Sequence, residues 1–83
     1  MIICSIRDRV SGEYGTPCTF VNLDDAKRRI AQAFVQNPFS KDLEVYQIGV
    51  FDPVKGLIRE CDDKDFLFTV SVLIAEMIGD NNA

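Results

Sequence analysis

The basic side chains of this chain form a pattern with clear chemical potential. Lys27, Arg28 and Arg29 are consecutive, and Arg7 and Arg9 come earlier in the chain. Lysine and arginine neutralise the phosphates of a nucleic acid, largely without regard to its base sequence. We therefore expect these cations to form one continuous phosphate-binding strip.

Aromatic rings would supply the other half of such a surface, because an unpaired base stacked on a ring contributes about 1–3 kcal/mol. Tyr14 lies in a loop that contains glycine, and Phe39 follows the predicted end of a helix, so both are expected to be exposed. Four other aromatic side chains, Phe20, Phe34, Tyr46 and Phe51, are expected in the core. The full set of candidate DNA-binding residues is Arg7, Arg9, Tyr14, Lys27, Arg28, Arg29, Phe39, Lys41, Lys55 and Arg59.

The same helix cations have a plainer interpretation. Asp24 precedes Arg28 by four positions, and Asp25 precedes Arg29 by four. Such pairs stabilise a helix by about 0.2–0.5 kcal/mol each, and a salt-bridged, solvated helix face is the commoner role for this pattern. The residues alone leave both interpretations open.

Side chains suited to catalysis are scarce. The chain has no histidine, which removes the usual general base near neutral pH and the commonest metal ligand. Cys4, Cys18 and Cys61 are scattered and odd in number, which indicates free thiols rather than a zinc site or a disulfide framework. Two pairs of consecutive carboxylates, Asp24-Asp25 and Asp62-Asp63, are more typical of helix caps and solvated charge than of a catalytic or metal site. No phosphate-binding glycine motif is present. We expect no enzyme activity, no cofactor and no metal.

The charge of the chain is unevenly distributed. Nine Lys and Arg against 13 Asp and Glu give a net charge of −4, which taken as a whole argues against nucleic-acid binding. Residues 1–41, however, hold six cations and four anions, a net of +2, whereas residues 42–83 hold three cations and nine anions, a net of −6. A basic face on an acidic molecule is therefore compatible with the sequence.

The first half of the chain predicts two strands and a helix. Residues 1–7 are apolar on both alternating faces, which favours a strand near the middle of a sheet, and residues 17–21 form a second strand. A hairpin centred near residues 11–12 places Cys4 opposite Cys18.

The helix is predicted to begin after Asn22, a capping residue, and to stop at residues 37–38 (Asn-Pro). At 100° per residue its apolar stripe consists of Leu23, Ala26, Ile30, Ala33 and Phe34.

The second half predicts another hairpin and a mixed tail. Residues 43–51 alternate as a strand, residues 52–56 (DPVKG) form a turn, and residues 57–60 return as the fourth strand. Residues 62–65 indicate a solvated break. Residues 66–70 have strand composition, and a short helix over 72–78 would be capped by Ser71 and ended by Gly79, the alternative being one helix over 65–78.

These elements predict an α+β fold: a small antiparallel sheet in ββαββ order, one central helix packed on a face, and a short C-terminal strand and helix. Residues 1–79 form one domain, and residues 80–83 are expected to be frayed. The small size favours a homodimer or higher homo-oligomer. The longest apolar stretch, residues 66–78, is too short and too polar for a membrane span, so no membrane partner is expected.

Several segments of the chain resemble the small nonstructural protein of gokushoviruses, single-stranded DNA bacteriophages of the Microviridae. They are SIRD (5–8), YGTPCTFVN (14–22), DDAKRRIAQAF (24–34), the Asn-Pro pair (37–38) and LEVYQIGVFDPVKGLI (43–58). The resemblance covers about residues 1–60.

The resemblance implies a non-enzymatic viral protein, made in the host bacterial cytoplasm, that binds DNA during single-stranded genome synthesis or packaging. Joined to the cation pattern, it predicts phosphate contacts with single-stranded DNA and little sequence preference. An alternative is an interaction adaptor that engages a viral or host replication or capsid protein through the apolar C-terminal segment.

Overall fold

The computed structural model describes residues 1–82, with side chains described through Met77. It confirms the α+β class, with four antiparallel strands in the spatial order β2-β1-β3-β4 and two helices. The elements are β1 (Ile2–Asp8), β2 (Cys18–Phe20), α1 (Leu23–Phe34), a short 3-10 helix (Ser40–Asp42), β3 (Leu43–Asp52), β4 (Leu57–Thr69) and α2 (Val70–Asn82).

The first hairpin has the predicted register. Ile2 faces Phe20 and Cys4 faces Cys18, so the pairing is centred on residue 11. Gly12 turns the chain with φ of 77°, and its amide donates to the Asp8 carbonyl at 2.8 Å. Since β1 also pairs with β3, it lies inside the sheet as its two apolar faces predict.

Helix α1 begins where the sequence predicts, because the Asn22 side chain accepts a hydrogen bond from the Asp25 amide at 2.9 Å. Its buried residues are Ala26, Ile30 and Ala31. The predicted stripe is wrong at Leu23 and Ala33, which are exposed, and it omitted Ala31. The helix packs against α2 as well as the sheet, and this second neighbour widens the buried face toward Ala31.

The second hairpin turns as predicted. The Asp52 carboxylate accepts from the amides of Val54 and Lys55 at 2.9 and 3.2 Å, and Gly56 takes φ of 69°. Strand β4 then continues to Thr69, so the predicted break at residues 62–65 is wrong. Four residues of β4, 61–64, lie opposite Ile48 alone. This four-residue bulge lies on an edge strand, and it leaves the charged side chains of residues 62–64 in water.

Helix α2 begins at Val70 and runs through Gly79 to Asn82, so the predicted start at residue 72 and stop at Gly79 are both wrong. The single helix over 65–78 is also wrong, because residues 65–69 are strand. Of the tail expected to be frayed, residues 80–82 continue α2, and residue 83 lies outside the described residues. Within the described chain, neither helix is long and apolar enough to cross a membrane.

The core lies between the helices and one face of the sheet. Val45 of β3 is fully buried in a cluster that also contains Val70 and Leu73 of α2 and Ala26 and Ile30 of α1. The apolar C-terminal segment therefore completes the core, which explains why so acidic a half contains so many apolar residues.

Cys4 makes the stability of this core sensitive to alkaline pH. Burial, assisted by the nearby Cys18 thiol, raises the pKa of Cys4 from 9.0 to about 11. The folded state therefore keeps a proton that the unfolded chain releases, so the free energy of unfolding falls as pH rises from 9 to about 11. We expect Cys4→Ala to flatten this part of the pH profile in urea unfolding, and Cys18→Ala to flatten it less. An identical slope in both variants would contradict the assignment of this pH dependence to Cys4.

Candidate functional site

The sheet has one face that the helices leave uncovered. Alternate residues of a strand point to opposite faces, so Val45 points into the core and Tyr46 points away from it. On β1, Cys4 and Ile6 likewise pack toward the core, which leaves Ser5 and Arg7 on the other side. We call this second side the open face.

Three aromatic rings lie side by side on the open face. The ring centroids of Tyr14 and Tyr46 are 5.7 Å apart at an interplanar angle of 64°, and those of Tyr46 and Phe66 are 5.6 Å apart at 68°. These are edge-to-face contacts, which stabilise the cluster beyond simple burial. We call Tyr14, Tyr46 and Phe66 the aromatic row. Tyr14 is 43% exposed and Phe66 is 54% exposed, so both remain accessible to a ligand.

Backbone pairing holds each ring of the row in place. Tyr46 and Phe66 are register partners on β3 and β4. Tyr14 forms an isolated antiparallel bridge with Arg7. The next residue, Gly15, donates to the Ile6 carbonyl and accepts from the buried Ser5 hydroxyl, each at 2.8 Å. The row is therefore set by the sheet before any ligand arrives.

Two cations flank the row. The Arg7 guanidinium lies 6.0 Å from the Tyr14 ring centroid, and the Lys64 ammonium lies 5.7 Å from it. Arg7 also pairs with Glu44 at 3.0 Å, whereas Lys64 has no salt bridge among the described residues. Exposed cation–π contacts contribute about 0.5–1 kcal/mol, which is weak enough for Lys64 to leave the ring for a phosphate. A recess of about 270 Å³ lies between Ser5, Tyr14, Ile48 and Lys64.

Three other arginines expected to bind DNA, Arg9, Arg28 and Arg29, are paired with carboxylates. Arg9 contacts Asp42 at 2.7 Å, and this hydrogen bond raises the pKa of Arg9. Asp25 pairs with both Arg28 at 3.4 Å and Arg29 at 3.8 Å. The predicted Asp25–Arg29 pair is therefore present, whereas Arg28 pairs with Asp25 and not with Asp24 as predicted.

The expected single strip of cations is wrong. Arg7 lies on the open face, but Lys27, Arg28 and Arg29 lie on α1, which packs against the opposite face. Lys41 lies in the 3-10 helix, Lys55 in the second turn, and Arg59 on the part of β4 next to that turn. Phe39 is 65% exposed but stands outside the aromatic row.

Of the predicted residues, Arg7 and Tyr14 are the pair that belongs to the site on the open face. Sequence reasoning missed Phe66 and Lys64, and it placed Tyr46 in the core. The alternation of residues 44–50 did mark Tyr46 as facing away from Val45. The position of Phe66 was hidden because residues 62–65 read as a loop, which broke the strand that carries it.

A cavity lies between α1 and the first hairpin. It has a volume of about 510 Å³ and is lined mainly by apolar groups, including Phe20, Ile30 and Phe34. Arg29 stands at its edge, 5.4 Å from the Phe20 ring. Among the described residues, no three His, Cys, Asp or Glu side chains are placed to hold a metal.

The comparisons with known proteins give a family and no closer relative. No curated protein matches the chain, and no solved structure matches it. Residues 1–73 match the family described as Phage ORF5 protein, and this range includes the entire aromatic row, Arg7 and Lys64. Because the match covers most of the sequence, the chain belongs to the Phage ORF5 protein family.

Proposed function

We propose that this phage protein binds single-stranded DNA on its open face, through base stacking on the aromatic row and phosphate contacts with Arg7 and Lys64. The observation that carries the proposal is a preformed row of rings with cations beside it. Single-stranded nucleic acid is bound in this way when rings and cations lie side by side, and little sequence preference results because every base has a flat face.

Stacking, rather than charge, dominates this site. The DNA-binding surface expected from the sequence needed many free arginines, whereas the described arginines on α1 share one carboxylate. Among the described side chains, two cations flank the row, and the bulge beside it carries Asp62 and Asp63. Duplex DNA hides its base faces, so it gains no stacking on this surface to offset the repulsion of its phosphates by Asp62 and Asp63.

The resemblance to gokushovirus nonstructural proteins supplies the proposed setting. The protein would act without enzyme activity in the host bacterial cytoplasm, during synthesis or packaging of a single-stranded genome. A role as adaptor for a capsid or replication protein through residues 66–78 has less support, because Val70 and Leu73 of that segment are buried in the core.

Salt dependence tests the proposal directly. Each neutralised phosphate on a single strand contributes a slope of about −0.7 to log affinity against log salt. Lys64, and Arg7 once it exchanges Glu44 for a phosphate, therefore predict a slope of about −1.4. We expect this shallow slope for oligo(dT) by fluorescence anisotropy, with much weaker binding of a duplex of equal length. Absence of binding at low salt, or equal affinity for the duplex, would contradict the proposal.

The basic run of α1 provides a second test. We expect the double variant Arg28→Ala, Arg29→Ala to keep single-strand affinity within about twofold, because α1 lies on the face opposite the aromatic row. Lys64→Ala is the comparison, and it should reduce the magnitude of the salt slope by about 0.7. A large loss in the helix variant, with no change for Lys64→Ala, would move the binding surface to α1.

A further inference from the structure

Strand β4 is an edge strand with an accessible apolar end. In the order β2-β1-β3-β4 it has β3 as its one neighbour among the described strands, so the backbone groups of its outer side are unpaired. Residues 57–60 are all exposed, with Leu57 at 63% and Ile58 at 71%. An exposed edge with large apolar side chains is a template for pairing with another strand.

A second copy of this chain can pair with β4 in only a few registers. A twofold axis normal to the sheet relates two antiparallel strands, and opposed residues then lie on the same face. One residue must therefore face its own copy, and each register is named by that central residue. Like charges placed directly opposite each other destabilise the pair.

Among the registers centred on residues 57–65, charge favours the one centred on Ile58. Registers centred on residues 59, 60, 62, 63, 64 and 65 oppose a charged residue to its own copy. A centre at Leu57 opposes Arg59 to Lys55, and a centre at Cys61 opposes Glu60 to Asp62. The register centred on Ile58 has no such conflict, since it opposes Ile58 to itself and Leu57 to the aliphatic stem of Arg59.

We infer that two copies of the chain join through β4 in this register and form an antiparallel, continuous eight-stranded sheet. The bulge at residues 61–64 and its acidic side chains end the pairing. A register centred on Phe66 also avoids like charges, but it places Lys64 opposite Phe68, which is half-buried against the core. The exposed end of β4 is therefore favoured over the end beside α2.

The twofold symmetry places both aromatic rows on one side of the dimer, because the axis is normal to the sheet. If the proposed function holds, one strand of DNA meets two rows on a single surface, and a longer oligonucleotide gains from both. The dimer itself requires no DNA.

Disulfide trapping identifies the register without DNA. In a Cys18→Ser, Cys61→Ser background, Ile58→Cys places two thiols opposite each other across the axis, within reach of a disulfide. With oxidised glutathione as oxidant, we expect a covalent dimer for Ile58→Cys and far less for the matched control Leu57→Cys. Covalent dimer from Phe66→Cys instead would overturn the register, and equal trapping at all three positions would show random collision.

The mass of the unmodified protein tests the interface independently. We expect a dimer by sedimentation equilibrium, monomer for Ile58→Asp, and an unchanged dimer for Val10→Asp in the first hairpin, where Val10 is 78% exposed. High salt should preserve the dimer while it weakens DNA binding, so the two properties separate. A monomeric natural sequence at every concentration would reject the dimer and leave the DNA proposal standing.

Discussion

Phe66→Ala is expected to weaken single-strand binding by about 5- to 150-fold, because one stacked base contributes about 1–3 kcal/mol and each 1.4 kcal/mol is tenfold in affinity. Phe66 ends the aromatic row and is 54% exposed, so removing its ring takes away a stacking surface while leaving the core intact. Anisotropy titrations with oligo(dT) at one low salt concentration measure the effect. The salt slope should stay the same, since no cation is removed.

Phe39→Ala is the matched control for Phe66→Ala. Both variants remove an exposed phenylalanine ring, and Phe39 is 65% exposed, but Phe39 lies outside the aromatic row. We expect its affinity to remain within about twofold of the natural sequence. The opposite ranking, with Phe39→Ala weak and Phe66→Ala unchanged, would return the stacking role to the residue that the sequence favoured. Equal small effects would show that binding does not use stacking.

Leu73→Ala is expected to lower the free energy of unfolding by about 2–5 kcal/mol. Leu73 of α2 is only 2% exposed and packs in the cluster that contains Val45 and Ile30. Small domains have total stabilities of about 0.05–0.15 kcal/mol per residue, so this loss would remove a large part of the stability of the fold. Urea unfolding followed by circular dichroism measures it.

Val72→Ala separates a role for α2 in the core from a role as a free docking segment. Val72 precedes Leu73 in the same helix but is 52% exposed, so its substitution should change stability by less than about 0.5 kcal/mol. Similar losses in both variants would show that α2 does not pack as described.

Local sequence signals predicted the elements whose causes are local. The cap at Asn22 started α1, the DPVKG turn set the second hairpin, and the centre near residue 11 set the pairing of Cys4 with Cys18. Each of these depends on a few neighbouring residues and on backbone geometry that those residues favour. The α+β class followed because the order of such elements restricts how they can pack.

The errors arose where distant parts of the chain decide the outcome. Residues 62–65 are too charged for an ordinary strand, yet β3 supplies a partner on both sides of the bulge and keeps β4 continuous. Ala31 is buried in the cluster that α1 and α2 share, and the periodicity of α1 alone did not mark it. The composition of the C-terminal segment was compatible with a helix over 72–78 and with one over 65–78.

The candidate site shows the same division. Residue types and local patterns were enough to show that catalytic groups are scarce, that cations and aromatic rings have binding potential, and that Arg7 and Tyr14 belong near the first hairpin. The fold then places Tyr14, Tyr46 and Phe66 together on one face and the arginines of α1 on the other. A row across a sheet joins residues from a loop and two strands, and these residues meet because of strand order and register, which spacing along the chain does not specify.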